Sequence, residues 1–416
     1  MIYFGLNFEV LKIVNKTILT TFFVLQVKTL NSTNYFTVNQ NIREMKNLIK
    51  FIISFALAFI LSTGYAQNFM ESGFNPAKHY ILLAHPTVQN IKTIQFLLDK
   101  NILQLPNVDF IGVYSEAENY DYTQSTTCIK NPEMIRFHLQ KITGQEDTTQ
   151  IYRKNDWTIQ FKNLFAHSVG IFFFGGPDIQ PSAYNQKNLY SEVTDPNRHL
   201  FELSFLFHLL GGYQDQQFEP FLKEKPEYFV TGFCLGLQSM NVATGGSLTQ
   251  DIPAQIYKSK STEETRKLKK DQLHRNYWKE SDSDTLTMGI NFHHIQFTAD
   301  PFFPERVKVK KIPTPLVLSS HHQSIYELGL NLIVTATSMD GQVIEGIQHR
   351  IYPNVFAVQF HPEVPDLYQE GKKLKFAPED DPKSYFEILS EQDREFLRKY
   401  WMTISKAIKS SIAALK

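Results

Sequence analysis

Cysteine is scarce in this chain. Cys128 and Cys234 are the two thiols in 416 residues. Two thiols could close one bridge, but they make neither a disulfide scaffold nor a zinc-finger pattern. A surplus of either charge is also missing, since Lys plus Arg and Asp plus Glu number 42 each. No net field therefore gathers nucleic acid or an acidic membrane surface, and nucleic acid is not an expected partner. Phe and Tyr are abundant but scattered, which suits core and pocket lining more than a base-stacking platform. There is no internal repeat, no low-complexity tract, and no comfortable membrane span of about 20 apolar residues. What is present is 42% apolar residues, enough for a sizeable core, in a length that fits one large α/β domain.

The N-terminal region carries a targeting pattern. From Met45 the text reads MKNLIKFIISFALAFILSTGYAQ. Lys46 and Lys50 form a short basic start, residues 51–61 an apolar stretch, and Gly64 and Ala66 are the small residues a signal peptidase reads. The expectation is a signal peptide over 45–66, a mature protein beginning at Gln67, and a periplasmic or secreted location without stable membrane association after cleavage. With no cysteine beside the cut, a lipid anchor is not expected. Residues 1–44 hold another apolar patch, TILTTFFVLQV, but no fold pattern. They read as a non-native extension ahead of a start at Met45, which a tryptic peptide from 1–43 of the native protein would refute. Residues 67–416 read as one domain.

From there on, strand and helix signals alternate. HYILLAHP, VDFIGVY, VGIFFFGGPD and YFVTGF are apolar runs bounded by turn residues. NIKTIQFLLDK, DPNRHLFELSFLFHLL and LGLQSMNVAT have helical spacing. In NPEMIRFHLQKI, Asn131 as N-cap and Pro132 at the first turn predict another helix. Continuous apolar strands between helices indicate a parallel sheet covered on both faces. KSKSTEETRKLKKDQLHR, from Lys258, reads as a solvated surface segment. Four short strands follow, in TPLVLSSHHQ, LIVTATS, QVIEGIQH and NVFAVQFHPE, and SYFEILSEQDREFLRKYWMTISKAIKSSIAAL is helical, Tyr385 and Phe386 opening its apolar face.

Chemistry gathers around Cys234. In EYFVTGFCLGLQ it stands between a strand and a helix, with Gly232 and Gly236 two residues to either side. A strand-to-helix corner of this kind exposes a nucleophile at the carboxyl end of a sheet. The helix start favours the thiolate, and the amide of Leu235 would face an oxyanion formed beside the sulfur. In FAVQFHPE, His361 follows an apolar strand with Glu363 two residues on, a spacing that lets a carboxylate hold an imidazole that serves a nucleophile. In IFFFGGPD the strand stops at Gly175 and Gly176, whose unencumbered amides could supply a second oxyanion donor. Cys128, in STTCIKNP, reads as a dispensable thiol in a polar loop, and both thiols are expected to be free.

Four stretches, FFFGGPDIQPSAY, GFCLGLQSMNVATGGSL, SSHHQSI and AVQFHPE, occur in the order found in class I glutamine amidotransferase-like proteins. Over residues 169–363 the chain most resembles the gamma-glutamyl hydrolase branch, especially the gamma-glutamyl-gamma-aminobutyrate hydrolase type. The resemblance implies an α/β, flavodoxin-like three-layer sandwich with a mostly parallel central sheet, and hydrolysis of small γ-glutamyl amides through a glutamyl thioester. It makes Cys234 the nucleophile, His361 the general base and acid, and Glu363 the orienting acid, with oxyanion amides at Gly176 and Leu235. Gln238, one helical turn past Cys234, would touch the glutamyl group. His321 and His322 match the family's His-His-Gln segment, either as pocket lining or as packed core. No cofactor or metal is implied, His293 and His294 match nothing in it, and they are not read as metal ligands because no carboxylate or cysteine is spaced to complete a site.

The chain also departs from that branch. Leu235 stands where the branch often has arginine, and residues 258–311 and YQEGKKLKFAPEDDPKS look enlarged, so the leaving amine stays open. A carboxypeptidase for polyglutamyl tails, a glutaminase-type amidotransferase domain and a non-catalytic binding protein are the rival readings. Oligomeric state is not legible.

Overall fold

The computed structural model describes residues 68–279 and 284–415. The expected signal peptide, the extension 1–44 and the start at Gln67 lie outside the described residues. Among the described residues no helix is long and apolar enough to cross a membrane.

The strands in chain order are β1 (His79–Ala84), β2 (Val108–Ser115), β3 (Phe137–Ile142), β4 (Gly170–Phe173), β5 (Phe229–Phe233) and β6 (Ser247–Thr249). They are followed by β7 (Asn291–Phe297), β8 (Leu316–Ser319), β9 (Ser324–Glu327), β10 (Leu332–Ser338), β11 (Ile344–His349) and β12 (Val355–Val358). Ten of them form one sheet in the order β3-β2-β1-β4-β5-β12-β11-β10-β7-β8, while β6 and β9 pair separately. The six strands from β3 to β12 run parallel, and β11, β10, β7 and β8 extend the sheet antiparallel. This is the mostly parallel α/β sheet expected.

Alternating side chains build the three layers. In β1, Tyr80, Leu82 and Ala84 join one core while Ile81 and Leu83 join the other. The first core is closed by helices α2 (Thr158–Ala166), α3 (Pro196–Leu210) and α4 (Leu235–Ala243). The second is closed by α1 (Val88–Asp99) and α5 (Glu391–Ala413). Phe396, Tyr400, Ile404 and Ala407 recur at helical spacing along α5 and are all buried. Because both faces are covered, the central parallel strands β1, β4, β5 and β12 are largely apolar, while the edge strand β3 carries His138, Gln140 and Lys141.

Three local expectations are corrected. Asn131 does cap, accepting from the Glu133 amide, but the turn it caps ends after Pro132–Met134 and the chain continues as strand β3. Phe137, Leu139 and Ile142 find burial beside β2, and this tertiary pairing overrides a good local cap. The C-terminal helix is not continuous. Ser384 and Ser390 each close a capping box, so Tyr385–Ile388 is a separate short helix with no buried residue, and the apolar face belongs to α5. Cys128 lies in a helical turn, Thr123–Ile129, and not in a loop. Both cysteines are free thiols.

Candidate active site

Strands β4, β5 and β12 are neighbours and run the same way, with Phe173 opposite Gly232 and Phe233 opposite Val358. Their carboxyl ends therefore share one edge of the sheet, where open α/β folds place ligands. The residues that follow those ends are Gly175 and Gly176, Cys234, and His361. Stretches far apart in sequence are brought together by register alone.

The corner at Cys234 is strained. Its backbone sits at φ +52°, ψ −105°. A non-glycine residue in a sparsely populated region costs about 1–3 kcal/mol and persists only where its surroundings enforce it. Here the Cys234 amide donates to the Val358 carbonyl at 3.0 Å, and its own carbonyl accepts from the Leu237 and Gln238 amides as α4 begins. The flanking glycines permit the turn. A Cβ on Gly232 would fall on the Gly236 backbone, and one on Gly236 would fall on the Phe173 carbonyl. The first amides of α4, Leu235 included, have no intrahelical acceptor and lie beside the thiol. Cys234 is 6% exposed, covered but not sealed.

His361 and Glu363 form the second part. His361 Nδ1 lies 2.7 Å from Glu363 Oε1, which leaves Nε2 for another partner. Burial alone would lower the His361 pKa. The charges of Glu363 and Cys234, and hydrogen bonds to both, outweigh that and hold it well above its ordinary value. The imidazole is therefore protonated in the resting site and can donate. Gly175 is the wedge between the two parts: a Cβ there would stand 2.7 Å from His361 Cε1 and 3.6 Å from Cys234 Cβ.

Beneath the Gly-Gly loop lies a pair that sequence reasoning missed. Arg198 Nη2 donates to the Phe174 and Gly175 carbonyls, each at 3.1 Å, and Arg198 Nε donates to Glu202 Oε1 at 2.8 Å. In a planar trans peptide the N–H points opposite to the C=O, so the Gly175 and Gly176 amides are turned away from Arg198. A buried guanidinium thus fixes the orientation of two candidate oxyanion donors. The only sequence signal was an Arg-x-x-x-Glu spacing inside an otherwise apolar helix.

Next to it, at the end of β1, His85 Nδ1 lies 2.6 Å from Glu118 Oε2, and the Tyr122 hydroxyl donates to the same carboxyl group at 2.5 Å. Burial pushes Glu118 up to about 7, while burial and then the Arg198 charge push His85 down to about 3. His85 follows the strand in HYILLAHP, the kind of position that carries function in such folds, and could have been singled out on that ground.

The remaining expected residues divide. The buried Gln238 amide nitrogen faces the Gln323 carbonyl at 3.4 Å and Gln359 Oε1 at 3.3 Å, so it ties α4 to its neighbours. His322 bridges Asp178 in the GGPD loop, at 3.0 Å, and Asp251, at 3.1 Å. Burial would lower its pKa, but hydrogen bonds to both carboxylates win and push it up to about 9. His321 is the packed histidine of the two, 4% exposed, and belongs to a separate cluster.

That cluster contains His274, His293, His321 and Glu345. His293 Nε2 lies 3.0 Å from Glu345 Oε1, although 52 residues separate them. Judged by chain spacing alone, His293 had no carboxylate partner. The fold supplies one across the sheet. Nor is the charge run from Lys258 wholly solvated, because its end carries the buried His274. Burial alone would raise Glu345, but the three imidazoles outweigh it and hold the carboxyl well below the usual range. Burial lowers His274 and His321, which keeps them neutral.

The stretch that carries this geometry is also the stretch shared with known proteins. The family model Peptidase C26 matches residues 111–363. The glutamine amidotransferase-like protein YvdE of Lactococcus lactis is 31% identical over 212 residues, which span 50% of this chain and 71% of that protein. Protein NtpR of Enterococcus hirae is 29% identical over 194 residues, 46% of this chain and 64% of its own length. A solved structure from Thermoplasma acidophilum, described as a GMP synthase component, overlays 79% of this chain and 95% of its own, at 12% identity and a TM-score of 0.34.

Proposed function

We propose, of a chain that belongs to the Peptidase C26 family, that it is an exported cysteine hydrolase for small γ-glutamyl amides. The observation that carries this reading is the strained Cys234 corner facing the His361–Glu363 pair across Gly175. Cys234 Sγ attacks the γ-carbonyl carbon of the substrate. The oxyanion rests on the amides of Leu235 and Gly176. His361 gives its proton to the departing amine as the C–N bond breaks, and a glutamyl thioester remains. The same imidazole then takes a proton from water, which attacks the thioester and releases glutamate and the thiol. Glu363 holds the ring in register throughout. The reading of 45–66 as a signal peptide supports a site of action outside the cytoplasm, and the native N-terminus tests it.

A γ-linked glutamyl group keeps its α-amine and α-carboxylate free on one carbon. A pocket that pairs both charges sets the γ-carbonyl over the sulfur. An α-linked residue has used its α-carboxylate in the scissile bond, so one buried partner would be left unpaired, at a cost of about a hundred-fold or more in rate. The related proteins described as glutamine amidotransferase-like favour a second reading, a glutaminase whose substrate is glutamine itself. One assay separates the two. Purified protein is given glutamine, several γ-glutamyl amides and the α-glutamyl isomer of one of them, and glutamate release is measured. The hydrolase reading expects turnover of the substituted γ-amides at least as good as of glutamine, and little of the α-isomer. Turnover of glutamine alone supports the glutaminase. Equal kcat/KM for α- and γ-isomers contradicts the pocket proposed.

A further inference from the structure

We propose that His274, His321 and Glu345 hold a divalent transition-metal ion of the zinc class, with His293 supporting the carboxylate. The three offer ligand atoms that all lie within 4.8 Å of one another. They come from three parts of the chain: His274 at the end of the charge run, His321 between β8 and β9, and Glu345 in β11. His293 reaches the same carboxylate from β7.

Several buried polar atoms in this cluster are left unmatched by the protein. His321 Nδ1 lies 2.8 Å from the Gln323 carbonyl, which can only accept, so this nitrogen carries the ring's proton. The other ring nitrogen, Nε2, is buried without a hydrogen-bond partner and faces Glu345 Oε1 at 3.8 Å, beyond hydrogen-bond reach. A cation lying between them would coordinate both. His274 Nδ1 stands 3.1 Å from the same oxygen but is poorly aligned for a hydrogen bond to it, and its Nε2 has no hydrogen-bond partner. Glu345 Oε2 is buried and unpartnered as well. Buried polar groups without partners are rare and call for a specific reason. One ion would satisfy His321 Nε2, a His274 nitrogen and the free carboxylate oxygen together.

The donor set also fits the metal class. Two imidazoles and a carboxylate suit zinc and its neighbours, and tetrahedral ligands about 2.0–2.1 Å from zinc sit about 3.3 Å apart. The ligand atoms, which now lie within 4.8 Å of one another, need to close by at most about 1.5 Å to reach that spacing. Two outer contacts are of the kind that orients metal ligands: Gln323 fixes the His321 tautomer, and His293 holds Glu345. All four residues are at most 4% exposed, so the ion is structural and does not face substrate. It would pin the loop that carries Gln323, whose carbonyl meets Gln238 one turn beyond Cys234.

The test uses the full chain with any affinity tag removed. Metal content is measured by mass spectrometry after purification without chelator. The stripped protein is then titrated with Co2+ while its visible ligand-field absorption is followed. The proposal expects one ion per chain and a saturable Co2+ spectrum. Glu345→Gln and His274→Ala should abolish the spectrum, His293→Gln should weaken binding about tenfold to a hundred-fold, and the surface variant His294→Ala should leave it unchanged. A folded wild-type protein with neither stoichiometric metal nor a Co2+ spectrum overturns the proposal, as does a spectrum that survives Glu345→Gln and His274→Ala together. Should the variants fail to fold, the wild-type stoichiometry and spectrum decide alone.

Discussion

At φ +52° Cys234 carries strain that an unremarkable core thiol would not need, and its neighbours are chosen to keep it there. If the sulfur is the nucleophile, Cys234→Ala leaves the fold intact and lowers turnover about a million-fold, as loss of a nucleophile does in triad enzymes. Residual activity above a tenth of wild type would remove it from the mechanism. In the proposed mechanism His361 must be protonated to release the amine, and the charges of Glu363 and Cys234 hold its pKa well above the ordinary value of 6.5. The alkaline limb of kcat/KM should therefore lie well above pH 6.5. Glu363→Gln removes one of the two charges, so the limb should move down in pH. The same change should cost less than His361→Ala, because an orienting group is partly replaceable. An unmoved limb, or equal losses, would give Glu363 a different part. Cys234, His361 and Glu363 were all legible in the sequence, because each stands just past an apolar strand. Arg198 was not. Its task is to turn two peptide planes from below, and nothing in a helix sequence says which carbonyls its side chain will meet.

Elements meet at this site with little tolerance. A Cβ at position 175 would stand 2.7 Å from His361 Cε1, so Gly175→Ala should push the imidazole off line. Misplacement by about an ångström costs about a hundred-fold in rate. The melting temperature should change far less than the activity, because the clash is with one ring at the edge of the sheet. A Gly175→Ala enzyme with wild-type kcat/KM would refute this role. Gly232→Ala is a different case. Its Cβ would strike the Gly236 backbone, where neither strand nor helix can give way. Destabilisation of about 3 kcal/mol or more is expected, measured by denaturant unfolding. A stable Gly232→Ala protein would mean that the elbow is looser than described. The misreading of Phe137–Ile142 as helix comes from the same level. Asn131 and Pro132 are a sound local start signal, but β2 offered an unpaired edge, and pairing there buried Phe137 and Leu139.

For the molecule as a whole, a parallel sheet places the ends of β4, β5 and β12 side by side, and this alone assembles the candidate site. The layered fold could be read from the chain because the central parallel strands β1, β4, β5 and β12 are largely apolar runs and each covering helix keeps a helical period. The His274–His293–His321–Glu345 cluster could not, because its members come from separate segments and meet only after β7, β8 and β11 join the antiparallel half of the sheet. Thiol acyl transfer at Cys234 is the claim on which the functional account depends, and it can be caught in the act. The enzyme is mixed with a γ-glutamyl amide, quenched in acid within its first turnovers and digested, and the peptides are weighed. The account predicts a glutamyl mass increment on the peptide that carries Cys234, released by hydroxylamine and absent in Cys234→Ala. Glutamate release with no adduct on that peptide, persisting in Cys234→Ala, would contradict it.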